Sequence, residues 1–305
     1  MSKKILVLGG SYFTGRVFVM VASQKGYEMT VVNRGRFSVK SYENVTEYAC
    51  DRHDYQTVSK LPLEKEYDAV VDFCAYAPGD IENLWSYLPC SVRRYIYIST
   101  ADVHEKTAGI RNEESPMMSE GGADQVQSYT YNKMLLEKEL FVSARQHDAE
   151  YVVLRPTFIY GPFNYAPRES YYIKKIIEGT SLPVPKETSG KFQMVFVKDV
   201  ANAIVSCIEE EKAANQAYIL SAPEVLDYQS FIRLLKSISD LPFTVEELPL
   251  KEIIEKNIPL PFPLTEADNE LFTGEKITKD LSFRYSSLQE NMKFTYENFR
   301  SVYQK

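Results

Sequence analysis

The residues best suited to chemistry are a tyrosine and a lysine four positions apart, Tyr129 and Lys133. On a helix that spacing puts both side chains on one face, a phenol beside an ammonium. A free tyrosine titrates near pH ~10, too high for a base at neutral pH, and a nearby ammonium favours the phenolate and lowers that value. Such a phenol can take a proton from a substrate hydroxyl. Thr100, just past the apolar run Arg94-Tyr-Ile-Tyr-Ile98, can hold the same oxygen by a hydrogen bond. Thr100, Tyr129 and Lys133 are therefore the candidate catalytic residues, and their chemistry is the interconversion of alcohol and ketone.

These groups need a helix, a strand end and a partner that accepts hydride. The run from Ser128 to Val142 is amphipathic and supplies the helix. The partner is indicated at the start of the chain, where Lys4-Ile-Leu-Val-Leu8 reads as a buried strand, followed by Gly9-Gly10-Ser11-Tyr12-Phe13-Thr14-Gly15 and a helix-compatible run from Val17 to Lys25. Strand, glycine turn and helix form the opening of a dinucleotide-binding unit, because glycines let the backbone approach a pyrophosphate and the first-turn N–H groups point at it. A nicotinamide bound there would take the hydride. In a Gly-x-x-Gly-x-x-Gly spacing counted from Gly9, the middle glycine is replaced by Tyr12. Its backbone must still reach the pyrophosphate, with the ring turned aside or toward the cleft.

Further strands are expected at 28–32, 45–48, 67–73, 94–98, 151–156 and 217–220, with helices between them, which predicts an α/β fold with a Rossmann-type doubly wound parallel sheet. Strand two ends in Asn33-Arg34, where a ribose-reading acid would stand in an NAD site. No acid is present, and Arg34 suits the 2′-phosphate of NADP, so the cofactor expectation is NADP or NAD, leaning to NADP. Strand ends also offer Asp51, with Arg52, to the adenine side and Ala75 to the cofactor cleft, each equally open to a plain loop role. A polar loop, 104–127, is longer than most connections and reads either as a lid near the site or as an elongated surface loop. His104 within it and Arg168 beyond it are each open to a substrate contact or a plain surface role. Val195 to Glu211 is expected as a helix, and proline breaks the pattern at Ser181-Leu-Pro-Val-Pro185. The region past 222 reads as a smaller α+β lobe, with helices at 228–239 and 285–303.

At 305 residues, with 44% hydrophobic and 25% charged residues, the chain has globular composition and no low-complexity tract. The apolar runs are strand-length, too short to span a membrane. Four scattered cysteines and three histidines have no metal-ligand spacing, so no metal is expected, and reduced thiols with no leader-like start suit a cytoplasmic protein. A net charge of −7 argues against nucleic acid as a partner and leaves a small-molecule substrate.

Taken in order, several segments resemble the extended short-chain dehydrogenase/reductases, the NAD-dependent epimerase/dehydratase group. They are Gly9-Gly-Ser-Tyr-Phe-Thr-Gly15, Asp51-Arg52, Ile98-Ser-Thr-Ala-Asp-Val103, Tyr129-x-x-x-Lys133 with Glu137, Leu154-Arg-Pro-Thr-Phe-Ile-Tyr-Gly-Pro162 and Phe196-Val-Lys-Asp-Val-Ala201. The resemblance implies a Rossmann domain of 1–160 plus 193–221 and a substrate-binding lobe of 161–192 plus 222–305. It also implies an epimerase, dehydratase or reductase of a sugar or nucleotide-sugar-like molecule, and a homodimer through the Tyr129 helix and its neighbour would fit it. The departures are Tyr12, the Asn33-Arg34 ending, His104-Glu105 after Val103, and Lys191-Phe-Gln193 where nucleotide-sugar enzymes carry an arginine. They leave a second expectation, a non-catalytic dinucleotide-binding regulator or RNA-binding relative.

Overall fold

The central strands form where the chain is apolar on both faces. In a computed structural model, which describes residues 2–304 apart from 108 and 123, seven parallel strands make one sheet. Positions 108 and 123 of the expected 104–127 loop, and the end residues 1 and 305 of the expected domains, thus lie outside the described residues. The strands are β1 (Lys4–Leu8), β2 (Glu28–Asn33), β3 (Val45–Ala49), β4 (Ala69–Asp72), β5 (Arg94–Ile98), β6 (Glu150–Pro156) and β7 (Gln216–Leu220). Their order is β7-β6-β5-β4-β1-β2-β3. The order reverses between β1 and β4, and the crevice at such a switch point is where open sheets of this kind bind ligands.

Side chains alternate across the sheet, so the two faces bury different sets. Ile5 and Val7 of β1 join one apolar cluster with Phe18 and Ile204, while Leu6 and Leu8 join the other with Trp85 and Leu140. The first face is covered by α1 (Phe13–Gln24) and a later helix, Val197–Glu209. The second is covered by α2 (Asp80–Tyr87) and α3 (Gln125–Gln146). In chain order α4 is Glu169–Ile177, α5 is Val197–Glu209, α6 is Tyr228–Ile238 and α7 is Leu288–Tyr303. The helix ends follow side-chain caps: Asp124 accepts from the Gln127 N–H at the start of α3, and Ser287 from the Glu290 N–H at the start of α7. These caps move the two starts to 125 and 288, from the expected 128 and 285.

Two expectations change. Val195 and Phe196 do not begin a helix: Met194–Phe196 is a short buried strand parallel to Phe158–Tyr160, and α5 starts at Val197. The proline run is not a break either, because Leu182–Pro185 pairs in parallel with Val245–Leu248. The ladder tolerates both prolines because Leu182 and Lys186 donate to Thr244 and Leu248, while Pro183 and Pro185 carry no N–H to leave unpaired.

The long loop is tied down to β7 and to the 271–273 segment. His104 bridges Met117, Arg111 exchanges backbone bonds with Leu271 and Thr273 at 3.0 and 2.9 Å, and the Glu113 carboxylate accepts from the Ile219 N–H at 2.8 Å.

Candidate active site

The glycine turn opens on a cavity of about 810 Å³ at the sheet's switch point, within the ~300–1,000 Å³ usual for cofactor sites. Gly9 and Gly10 sit at φ +94° and +67°, a region L side chains rarely adopt. A Cβ on Gly10 would meet Val7 Cγ1 at 2.6 Å, and one on Gly15 would meet the Gly10 Cα at 2.7 Å. The turn is therefore built to bring backbone close to α1. Tyr12, the N-cap of α1, makes no side-chain cap, so the first N–H groups of α1 are left to whatever occupies the cavity. An uncapped helix start over a glycine cradle fits a diphosphate. Tyr12 itself is extended (φ −138°), a conformation open to any residue. Its ring is turned aside, stacked between Phe37 and Tyr165.

The same cavity is lined by Thr100, Tyr129 and Lys133, together with Gly9 to Gly15, Asn33, Arg34, Asp51 and Arg52. Sequence spacing thus brings its three candidate catalytic groups and its candidate cofactor residues to one cleft, with one exception. Ala75 is fully buried and does not line the cavity; its carbonyl oxygen instead accepts from Lys133 Nζ at 3.0 Å and from the Tyr97 hydroxyl at 3.3 Å. Arg34 is exposed at the cavity's β2 end beside Arg36. The Asn33 amide is used locally, donating to Glu47 and accepting from the Gly35 N–H. The Arg52 guanidinium is occupied by the buried Asp72 carboxylate at 3.0 and 3.1 Å and by the Asp80 carbonyl at 2.6 Å. Asp51 is exposed and caps the His53 N–H.

Lys133 is buried and donates to the Ile98 carbonyl at 2.8 Å as well as to Ala75. The rings of Tyr97, Tyr76 and Tyr129 surround its ammonium at 4.6, 4.8 and 5.9 Å, which favours the charged form. Burial nevertheless pulls Lys133 down to about 8. Tyr129 departs from the sequence expectation: although the residue is 40% exposed, desolvation within the cleft, and after it the Asp102 charge, hold its phenol above the ordinary value. The Lys133 ammonium makes no hydrogen bond to the phenol and donates instead to the two carbonyls. Arg168 acts to lower the Tyr129 value, and its guanidinium lies 4.6 Å over the Phe158 ring in the same cavity. The Arg168 backbone is bonded to Ala166 and Tyr171, whereas the guanidinium makes no hydrogen bond or ion pair among the described residues. Thr100 Oγ1 donates to the Asp102 carboxylate at 3.2 Å and accepts from the Asp102 N–H at 3.3 Å.

Behind Thr100 lies a buried polar network. Glu137, fully buried, accepts from the Ser99 hydroxyl at 2.5 Å and from Arg155 at 2.6 Å. Arg155 Nη1 lies 3.1 Å from His104 Nε2, and His104 Nδ1 lies 2.9 Å from the Ser115 carbonyl. Both contacts assign the proton to Nδ1. Burial, then the Arg155 charge, push His104 down to about 4, so it is a neutral structural histidine. Gln193 is structural too, its amide spanning the Ala222 carbonyl and the Phe272 N–H.

Sequence reasoning missed Tyr76, Phe37, Tyr165 and Arg36, all of which line the cavity. Tyr76 stands next to Ala75 at a strand end and could have been found by that position. The other three lie in irregular loops with no periodic signal. Among the described residues, no group of three His, Cys, Asp or Glu side chains is placed to hold a metal, and no helix is long and apolar enough to cross a membrane.

Residues 5–221 match the NAD dependent epimerase/dehydratase family. Among curated proteins, the chain is 25% identical over 79% of its length to 64% of the chloroplast stem-loop binding protein of 41 kDa b of Arabidopsis thaliana. It is 29% identical over 54% of its length to 49% of the UDP-glucose 4-epimerase of Vibrio cholerae. The chain spans about half to two thirds of the length of these relatives. Among solved structures, UDP-glucuronic acid 4-epimerase from Bacillus cereus, in complex with UDP-glucuronic acid and NAD, superposes with a TM-score of 0.75. That match covers 98% of this chain and 99% of the other at 16% identity, a likeness of fold.

Proposed function

Because the chain belongs to the NAD dependent epimerase/dehydratase family, we propose that it is an NAD(P)-dependent epimerase, dehydratase or reductase of a sugar or nucleotide-sugar-like polyhydroxylated molecule. The observation that carries this is one cleft lined both by the glycine turn with its uncapped helix and by Thr100, Tyr129 and Lys133. The first-turn N–H groups of α1 would hold the diphosphate and Asp51 the adenosine side. Arg34 and Arg36, on the cavity wall just past the end of β2, favour the 2′-phosphate of NADP. When bound, the nicotinamide supplies a hydride acceptor.

The chain's own groups handle the proton. Tyr129, with its phenol held in the neutral form, is an acid toward a carbonyl oxygen and becomes a base when positive charge gathers around it. Arg168 is the side chain that supplies such charge, while Lys133 ties the Ala75 and Ile98 carbonyls at the cleft wall. Thr100 orients the reacting oxygen, and the Glu137–Arg155 pair fixes the segment that carries Thr100. Segments 161–192 and 222–305 form the lobe that closes over the substrate, and Arg168 selects a substrate bearing an anionic group.

Titration with NADH and NADPH, followed by nicotinamide fluorescence, tests the reading. Binding of either below about 1 mM is expected, and absence of both removes it. Arg34→Ala should abolish any advantage of NADPH. Tyr129→Phe should retain dinucleotide affinity and lose turnover; undiminished turnover removes Tyr129 from the mechanism. Similarity to a stem-loop binding protein favours a second reading, an RNA-binding relative. Retention of a stem-loop RNA at physiological salt, without dinucleotide binding, would support that one instead.

A further inference from the structure

Three large aromatic rings stand half in solvent at the mouth of the cofactor cleft, each on a different segment. Tyr12 is on the glycine turn, Phe37 on the connection from β2 to β3, and Tyr165 on the connection into α4. They are 46%, 38% and 65% exposed, yet they form one continuous stack. Tyr12 and Phe37 lie 4.9 Å apart at an interplanar angle of 8°, and Tyr12 and Tyr165 lie 5.3 Å apart at 22°. Phe13 meets the outer ring edge-on at 5.9 Å. Beside it, Arg16 of α1 lies 5.3 Å over the ring of Phe163 from the same connection.

The connection that carries Tyr165 has a rigid base. Glu169, fully buried, accepts from the Gly161 N–H at 3.0 Å and from the Asn164 amide at 2.9 Å, and Asn164 in turn accepts from the Ala166 N–H. Segment 161–168 is therefore a braced strap, laid across the glycine turn and joined to it by rings. Exposed aromatic surface on three loops adds nothing to the core, and the extended backbone at Tyr12 does not call for any special residue. The stack itself is the feature these side chains share.

We propose that Tyr12, Phe37 and Tyr165 form a clasp that retains the dinucleotide, so that its release requires the strap to unstack from the glycine turn. This rests on the dinucleotide reading given above. A consequence for reaction class follows. A reaction that returns the substrate's own hydride leaves the dinucleotide in its starting redox state and needs no exchange. Net reduction consumes one reduced dinucleotide per turnover and requires exchange each time. A clasped site suits the first kind, epimerisation or internal redox dehydration.

The test is the release rate of NADH and of NADPH from preloaded protein, chased with excess oxidised dinucleotide in a stopped-flow fluorimeter. Each stacked contact contributes enough that Tyr165→Ala and Phe37→Ala should each speed release by roughly 3- to 10-fold. Their combination should do less than the product, because both act through one stack. Tyr165→Phe keeps the ring and should release within about twofold of the unaltered protein; with the alanine results, that outcome assigns the effect to stacking. Release from Tyr165→Ala at the unaltered rate overturns the clasp, as does tighter dinucleotide binding by that variant, which would make the stack a plug. If the unaltered protein binds neither dinucleotide, the cofactor reading fails first and the clasp with it.

Discussion

Replacing Glu137 by glutamine should destabilise this protein more than any ordinary surface change. Glu137 is fully buried, Arg155 is 3% exposed, and their closest contact is 2.6 Å, with a second at 3.1 Å from Arg155 Nε. Glutamine keeps the shape but removes the charge, leaving a guanidinium that cannot deprotonate in a site closed to water. Breaking a buried pair from one side costs about 3–5 kcal/mol. With a urea dependence near 3 kcal/mol per molar for a chain of this size, the unfolding midpoint should fall by roughly 1–1.7 M. Equilibrium urea titration followed by far-UV circular dichroism and by Trp85 fluorescence reads this directly. Arg155→Met combined with Glu137→Gln should cost at least ~2 kcal/mol less than the two single changes summed, since neither charge is then left alone. A midpoint for Glu137→Gln within about 0.3 M of the unaltered protein, or strict additivity in the double variant, would refute the assignment of this pair as the brace behind Thr100.

Two further outcomes follow from the same neighbourhood. His104 is held at about 4 in the fold and titrates near 6.5 when unfolded, so between those values only the unfolded chain takes the proton. Its contribution is intact above pH ~6.5 and is lost as pH falls toward ~4, by on the order of 3 kcal/mol. His104→Asn, which keeps a donor for the Ser115 carbonyl, should flatten that part of the acid dependence in urea midpoints compared at pH 7.5 and 4.5; an unchanged slope would place the dependence elsewhere. Arg168→Ala should raise KM for an anionic substrate by about 10- to 100-fold and move the Tyr129 ionisation to higher pH. An unchanged KM together with an unmoved pH profile would return Arg168 to a surface role.

The parts of this fold that could be read from sequence are those governed by short-range repetition. The β1 residues alternate between two buried faces, and Tyr129 and Lys133 share a helical face, because strand and helix periods set those directions whatever the rest of the chain does. The glycine turn was legible for a similar reason, since a close approach of backbones at Gly10 and Gly15 excludes a Cβ. Partnerships were not legible. Nothing near Arg52 in sequence marks Asp72 as its acceptor, and nothing near His104 shows that Arg155 and Ser115 would leave it neutral. The raised Tyr129 phenol was not legible, since neighbouring residues set its desolvation, and adjacency on a helix does not say where the ammonium's protons go. Here they go to Ala75 and Ile98, carbonyls of two different strand ends. The position that broke the sequence rule most openly, Tyr12, is the one the structure gives a specific neighbour on each side. A glycine there would suffice for the turn. A ring there joins the turn to Phe37 and to the strap carrying Tyr165, three segments with no other reason to share a stack, and a local rule broken at such a junction points to function rather than to drift.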